Sequence, residues 1–269
     1  MGAEDLKSAR VESCVVISEA KGAVQRIVEE LRAEDSTVGV LLHGSFASGK
    51  QHADSDVDLL CVTDQDWFSK EIRQVSGFEV EVQKMPMSKV RSDFTQRLPT
   101  NNNFTLSIFV EGRVLFDRDG EMQGLVDEAQ ALWQKGPPRP GAFEIMLGRS
   151  FFRHRLTEVK RLAAGDDPQG IARVMMDLFF YNALYGYCKT HCKWALKFNH
   201  LLQSLEAEDP EFHSLCTSYL GSSSDAQRVQ WLEKIVDAVM KPVGWGSVEY
   251  QTPQVALSRT GQMRNGMIL

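Results

Sequence analysis

The chain has 269 residues, 43% of them hydrophobic and 25% charged, with a formal net charge of −6 and a pI near 5.6. That balance is typical of a globular protein that can bury a real core, and the length suits one large domain or two ordinary ones. So acidic a chain is poorly suited to gripping extended nucleic acid over its whole surface, and its apolar runs are too short to cross a bilayer.

The opening stretch MGAEDLKSAR is charged and has no apolar core of a signal peptide,. Five scattered cysteines, Cys14, Cys61, Cys188, Cys192 and Cys216, read as reduced thiols,. Both features point to a cytoplasmic protein with no membrane partner. Val24, Ile27, Val28 and Leu31 then form an amphipathic stripe that predicts a helix over 20–33,. Val38–Leu42, Val57–Val62 and Phe78–Gln83 read as strands, and "EGRVLFDRDG" (111–120) as a strand running into a turn,. Residues 120–134 read as helix. "KGPPRPG" (135–141) cannot continue it, because three prolines and two glycines fall within seven residues,. Beyond it, 142–164 and 171–191 read as long helices, the second preceded by the turn "GDDPQG", with shorter helices up to about residue 240,. The expectation is an α/β domain over 1–135 and an all-α domain over 136–269.

"VGVLLHGSFASGKQHADSDVDLLCV" (38–62) carries the chemistry and admits two readings. Gly44 to Lys50 spells G-x-x-x-x-G-K, close to a phosphate-binding P-loop. Yet Gln51 stands where that loop needs a Ser or Thr for magnesium, and no long helix fits before the next strand,. The second reading rests on Asp56 and Asp58. On a strand, two residues apart, they share one face, with Val57 and Leu59 on the other. Paired carboxylates repel unless a cation lies between them, and Mg2+ takes such oxygen ligands together with substrate phosphates. Gly44 allows close backbone approach, and Ser45 with the amides after it can donate to phosphate oxygens.

An apolar strand, Gly44-Ser45, a gap of ten residues and Asp56-Val57-Asp58 flanked by apolar residues resemble the signature of the DNA polymerase beta-like nucleotidyltransferase superfamily. The single-chain members that modify aminoglycosides and lincosamides are the nearest in layout. The resemblance covers about residues 20–134. It implies a small mixed sheet with flanking helices and a third carboxylate on a later strand. "GFEVEVQK" (77–84) offers Glu79 and Glu81 on the same side, of which Glu81 fits the family's pattern better. The implied reaction transfers a nucleoside monophosphate from an NTP, ATP by default, to an acceptor hydroxyl. Two Mg2+ ions would be held by Asp56, Asp58 and Glu81. A small-molecule acceptor is expected first, with a protein or RNA acceptor, or a non-catalytic nucleotide-binding relative, as alternatives.

In the helical half, Lys189, Lys193 and Lys197 recur every four residues and share a face if that helix is unbroken,. Lys193 and Lys197 are the candidates to meet the triphosphate, against the alternative of a solvated basic face. Cys188, His191 and Cys192 are one ligand short of a structural zinc site. Asp177 and Glu144 read as solvated or capping carboxylates, and His43 as packed at a strand end.

Overall fold

The structure, a computed structural model, describes residues 21–52, 54–96, 101–165, 167–195 and 198–247. These fall into two compact units, one within Met1–Arg97 and Asn103–Lys135, the other within Leu98–Asn102 and Gly136–Leu269.

The first unit is built on five strands: β1 (Thr37–His43), β2 (Val57–Thr63), β3 (Ser69–Val75), β4 (Phe78–Pro86) and β5 (Arg113–Asp117), in the order β3-β4-β2-β1-β5. The central β2–β4 pair is parallel and the other pairs are antiparallel, so the sheet is mixed. Its helices are α1 (21–32), α2 (Gly44–Ser48), α3 (Met87–Gln96), α4 (Phe104–Glu111) and α5 (Glu121–Lys135). Alternation along the strands sorts the side chains. Val40, Leu42, Val57, Leu59, Val80 and Val82 form one core with Ile27 and Leu31 of α1, the stripe that the helical spacing marks. On the opposite face of β1, Gly39 lies against Met122 of α5, and Leu41 against Gly112 after α4. Burying these aliphatic groups supplies roughly 1.5–3 kcal/mol each.

β3, α3 and α4 are absent from the sequence expectation. β3 is an edge strand whose residues alternate between half-buried and exposed, so no apolar run marks it. Its signal was the Ser76-Gly77 turn before β4, where both residues have positive φ (52° and 85°), as a two-residue hairpin requires,.

The second unit is helical: α6 (Ala142–Ala163), α7 (Pro168–Met176), a π-helical segment Asp177–Ala183, α8 (Leu184–Thr190), α9 (Phe198–Glu208), α10 (Pro210–Leu220) and α11 (Asp225–Met240). Leu178, Phe179, Leu184, Tyr187, Phe212, Leu232, Ile235 and Val236 are in its core. Asp167 caps α7 by accepting from the Gly170 N–H at 2.8 Å, with Pro168 in the first turn, as the "GDDPQG" turn suggests,. The helix expected over 171–191 is interrupted by the π segment and ends at Thr190. Cys192 takes a left-handed φ of 54°, which no helix continues,. The tail 248–269 lies outside the described residues, as do Cys14 and Lys197. Among the described residues no helix is long and apolar enough to cross a membrane.

Candidate active site

β1 ends at His43, and Gly44 and Ser45 begin the short helix α2 rather than finishing the strand. Gly44 has φ 71°, and a Cβ there would lie 2.1 Å from Asp58 Oδ2. The glycine is required twice, for its backbone conformation and for the space that the Asp58 carboxylate occupies. Gly49 caps α2 with φ 71°, and the Lys50 N–H bonds the Ser45 carbonyl at 3.0 Å. "GK" thus closes a five-residue helix, β2 is the next element among the described residues, and the P-loop reading is excluded.

Asp56 lies just before β2 and Asp58 within it, so the expectation that both sit on the strand needs correcting by one residue. Strand register does the rest. Asp58 is opposite His43 on β1 and opposite Glu81 on β4, and Glu81 is opposite Ile72 on β3. Facing residues share a face, so His43, Asp58 and Glu81 make one row across three strands. Asp56, Asp58 and Glu81 each bring a carboxylate oxygen to within 4.8 Å of the others, the one such acidic, His or Cys group of three among the described residues. Glu79 is not in it. Its neighbour Val80 is level with Val57, the first residue of β2, so Glu79 lies past the end of that strand. It is exposed and accepts from Gln74 Nε2 at 3.3 Å.

Two neighbours of Glu81 are invisible to motif reasoning. Lys70 on β3 pairs with Glu81 Oε2 at 2.7 Å, and Gln83 Nε2 donates to Glu81 Oε1 at 2.6 Å. Burial alone would raise the Glu81 pKa, but Lys70 and Gln83 outweigh it and hold the carboxyl below its usual range. The Lys70 ammonium is in turn held protonated, chiefly by its hydrogen bond to Glu81, with the charges of Asp58 and Asp56 adding to this. Glu81 is therefore a weak base, suited to binding positive charge. His43 is buried, and its ring meets Phe104 edge-on at 6.5 Å.

Gln83 also lines a groove of about 660 Å3 within the first unit. Phe68, Met85, Pro86 and Phe104 form its apolar walls, with Ser88, Ser92 and Thr105 among its polar ones. Asp93 in its wall is already compensated by Lys89 and by the Thr105 hydroxyl, the latter at 3.0 Å.

The helix that would carry Lys189 and Lys193 on one face ends between them. Lys189 lies in the last turn of α8 and pairs with Glu144 at 2.9 Å, while Lys193 lies just past the turn that follows and pairs with Glu208 at 2.5 Å. Glu144 accepts from the Gly141 N–H at 2.8 Å, and Asp177 pairs with Arg155 at 2.8 Å, so both have local structural partners. Cys61, Cys188, Cys192 and Cys216 carry free thiols.

Residues 25–121 match the family model of the polymerase beta nucleotidyltransferase domain. The chain is similar in structure to a nucleotidyltransferase-like protein from Exiguobacterium sibiricum 255-15, with a TM-score of 0.45 and 14% identity, over 83% of this chain and 78% of that one. No curated protein matches it. Residues 25–121, the part of the chain that is similar to polymerase beta nucleotidyltransferases, contain β1 to β5 and all three clustered carboxylates.

Proposed function

We propose that this protein is a nucleotidyltransferase that moves a nucleoside monophosphate from an NTP, ATP by default, onto a hydroxyl of a small molecule. The observation that carries the reading is the convergence of Asp56, Asp58 and Glu81 within 4.8 Å. Three carboxylates this close suit divalent cations, and the missing Cβ of Gly44 leaves the Asp58 carboxylate room to take part,. Two Mg2+ ions, when bound, would neutralise charge on the triphosphate and on the attacking and leaving oxygens.

The chain's own groups position the reactants. Asp56 and Asp58 hold the donor side, where the Ser45 hydroxyl would donate to a phosphate oxygen. Glu81 holds the acceptor side. The acceptor's body lies in the groove beside it, which Gln83 joins to Glu81 through its amide. About 660 Å3 is the size of a small-molecule site,. The aromatic walls favour a ring-bearing or apolar acceptor over a highly charged one, because the buried carboxylate there is already paired. The attacking hydroxyl oxygen bonds to the α-phosphorus and gives up its proton to solvent, the bond to the bridging oxygen breaks, and pyrophosphate leaves with that electron pair.

The test is calorimetric titration of the four common NTPs, with Mg2+ and with EDTA. One NTP should bind only with Mg2+, and Asp56→Ala should abolish that binding. Equal binding in EDTA, or binding retained by Asp56→Ala, would refute the assignment of the carboxylates.

A further inference from the structure

Lys70 lies on the edge strand β3, opposite Gln83 and one step along the same face from Ile72, the residue level with Glu81. Its side chain runs diagonally to Glu81 and places Nζ 2.7 Å from Oε2,. The lysine side chain is 48% exposed and that of Glu81 only 14%. A solvated, flexible ammonium therefore rests on a carboxylate fixed within the sheet. Asp58 and Asp56 are close enough to act on the same ammonium through their charge.

We propose that Lys70 is the built-in counter-ion of the carboxylate cluster and guards its Glu81 corner against divalent cations. Three carboxylates within 4.8 Å repel one another, and the ammonium relieves that repulsion with a single charge. A divalent ion entering beside Glu81 must displace this ammonium or face it at a few ångströms, and either cost weakens its binding. The exposure and edge position of Lys70 make displacement feasible. Its side chain can swing into solvent without disturbing the core, whereas Asp58 and Glu81 are held by strand register. Lys70 is on this account a positioning residue that sets ion affinity. The inference rests on the reading of Asp56, Asp58 and Glu81 as a cation site.

The experiment titrates Mn2+ alone into the full chain, by calorimetry and by the loss of the free Mn2+ paramagnetic resonance signal. Wild type, Lys70→Met, Lys70→Arg and Asp58→Asn are compared, each checked for folding by circular dichroism. Lys70→Met should bind Mn2+ roughly tenfold more tightly than wild type, and Lys70→Arg, which keeps the charge, should stay near wild type. Affinity in Lys70→Met equal to or below that of wild type, with Asp58→Asn unable to bind, would overturn the role of Lys70 alone. Mn2+ binding unchanged in Asp58→Asn would overturn the cation-site reading and the Lys70 role with it.

Discussion

Gly44 and Asp58 share one small space: a side chain on the first would collide with the carboxylate of the second at 2.1 Å. The Gly-Ser step and the Asp-x-Asp step, ten residues apart in the chain, are thus parts of one object. The strand pair β1–β2 folds back so that the end of one strand meets the beginning of the other.

Gly44→Ala should therefore damage the site more than an ordinary glycine substitution. The left-handed φ costs an L-residue about 1–2 kcal/mol, and the methyl group must also push the Asp58 carboxylate aside. The expected outcome is a lowered melting temperature together with Mn2+ binding weakened by roughly tenfold or more, one decade being about 1.4 kcal/mol. Alanine at Gly49 shares the φ of 71° but meets no neighbouring atom within 4 Å. It should lower stability and leave Mn2+ binding unchanged, which makes it the control.

Glu81→Gln should cost far more nucleotide transfer than Glu79→Gln. The first removes a charge level with Asp58, and the second removes one that lies past the end of β2 and holds only Gln74. Loss of about 100-fold or more is expected at Glu81, within the range for groups that stabilise transition-state charge, and within about threefold of wild type at Glu79. Rates of pyrophosphate release for the two variants decide it, and the reverse ranking would move the third carboxylate to Glu79.

Glu144 provides a pH test in the helical unit. Burial alone would raise its pKa, but Lys189 and the Gly141 N–H outweigh burial and lower it. A carboxylate whose folded pKa is depressed stabilises the fold fully above its unfolded value and loses that contribution as pH falls through the folded one. The stability difference between wild type and Glu144→Gln should be constant at neutral pH and close once the pH falls below 4.5, the ordinary glutamate value. Denaturant titrations across that range check it, and a gap that persists in acid would contradict the pairing.

Asp209 serves two groups at once. Its Oδ1 accepts from the Phe212 N–H at 3.0 Å, capping α10, and its Oδ2 accepts from the Tyr187 hydroxyl at 2.7 Å. Burial works against its ionisation, yet these donors keep its pKa below the ordinary range. Asp209→Ala should cost about 1 kcal/mol for the cap and about 1–3 kcal/mol for the stranded Tyr187 hydroxyl. In a Tyr187→Phe background the second cost disappears, so the same substitution should be milder there. Equal costs in both backgrounds would show that the hydroxyl finds another partner.

Much of this architecture was written in local pattern. The stripe Val24, Ile27, Val28, Leu31 specifies the helix that covers one face of the sheet, and the apolar runs around Val40, Leu59 and Val80 specify strands, because burial imposes the helical and strand periods directly on the order of residues,. Gly44-Ser45 and Asp56-Val57-Asp58 mark the site for the same reason: a tight backbone approach needs a glycine, and a shared face needs a spacing of two. The edge strand β3 escaped because its residues face solvent on alternate positions and leave no apolar run. Lys189 and Lys193 do not share one unbroken helix because a helix persists only where its backbone conformation does, and Cys192 leaves it.

The partners of the site belong to a different level. Glu79 and Glu81 share a strand face, so nothing local separates them; the parallel register of β2 on β4 sets Glu81 level with Asp58 and leaves Glu79 beyond the strand end. Lys70 and Gln83 meet Glu81 for the same reason, through hairpin register and a shared strand face. Sequence by itself determined the strongly periodic elements and where the acidic motif lies, since those follow from local period and backbone conformation. Only the tertiary structure decided which carboxylate joins the pair and which ammonium lies against it, since register is settled by packing between segments distant in the chain,.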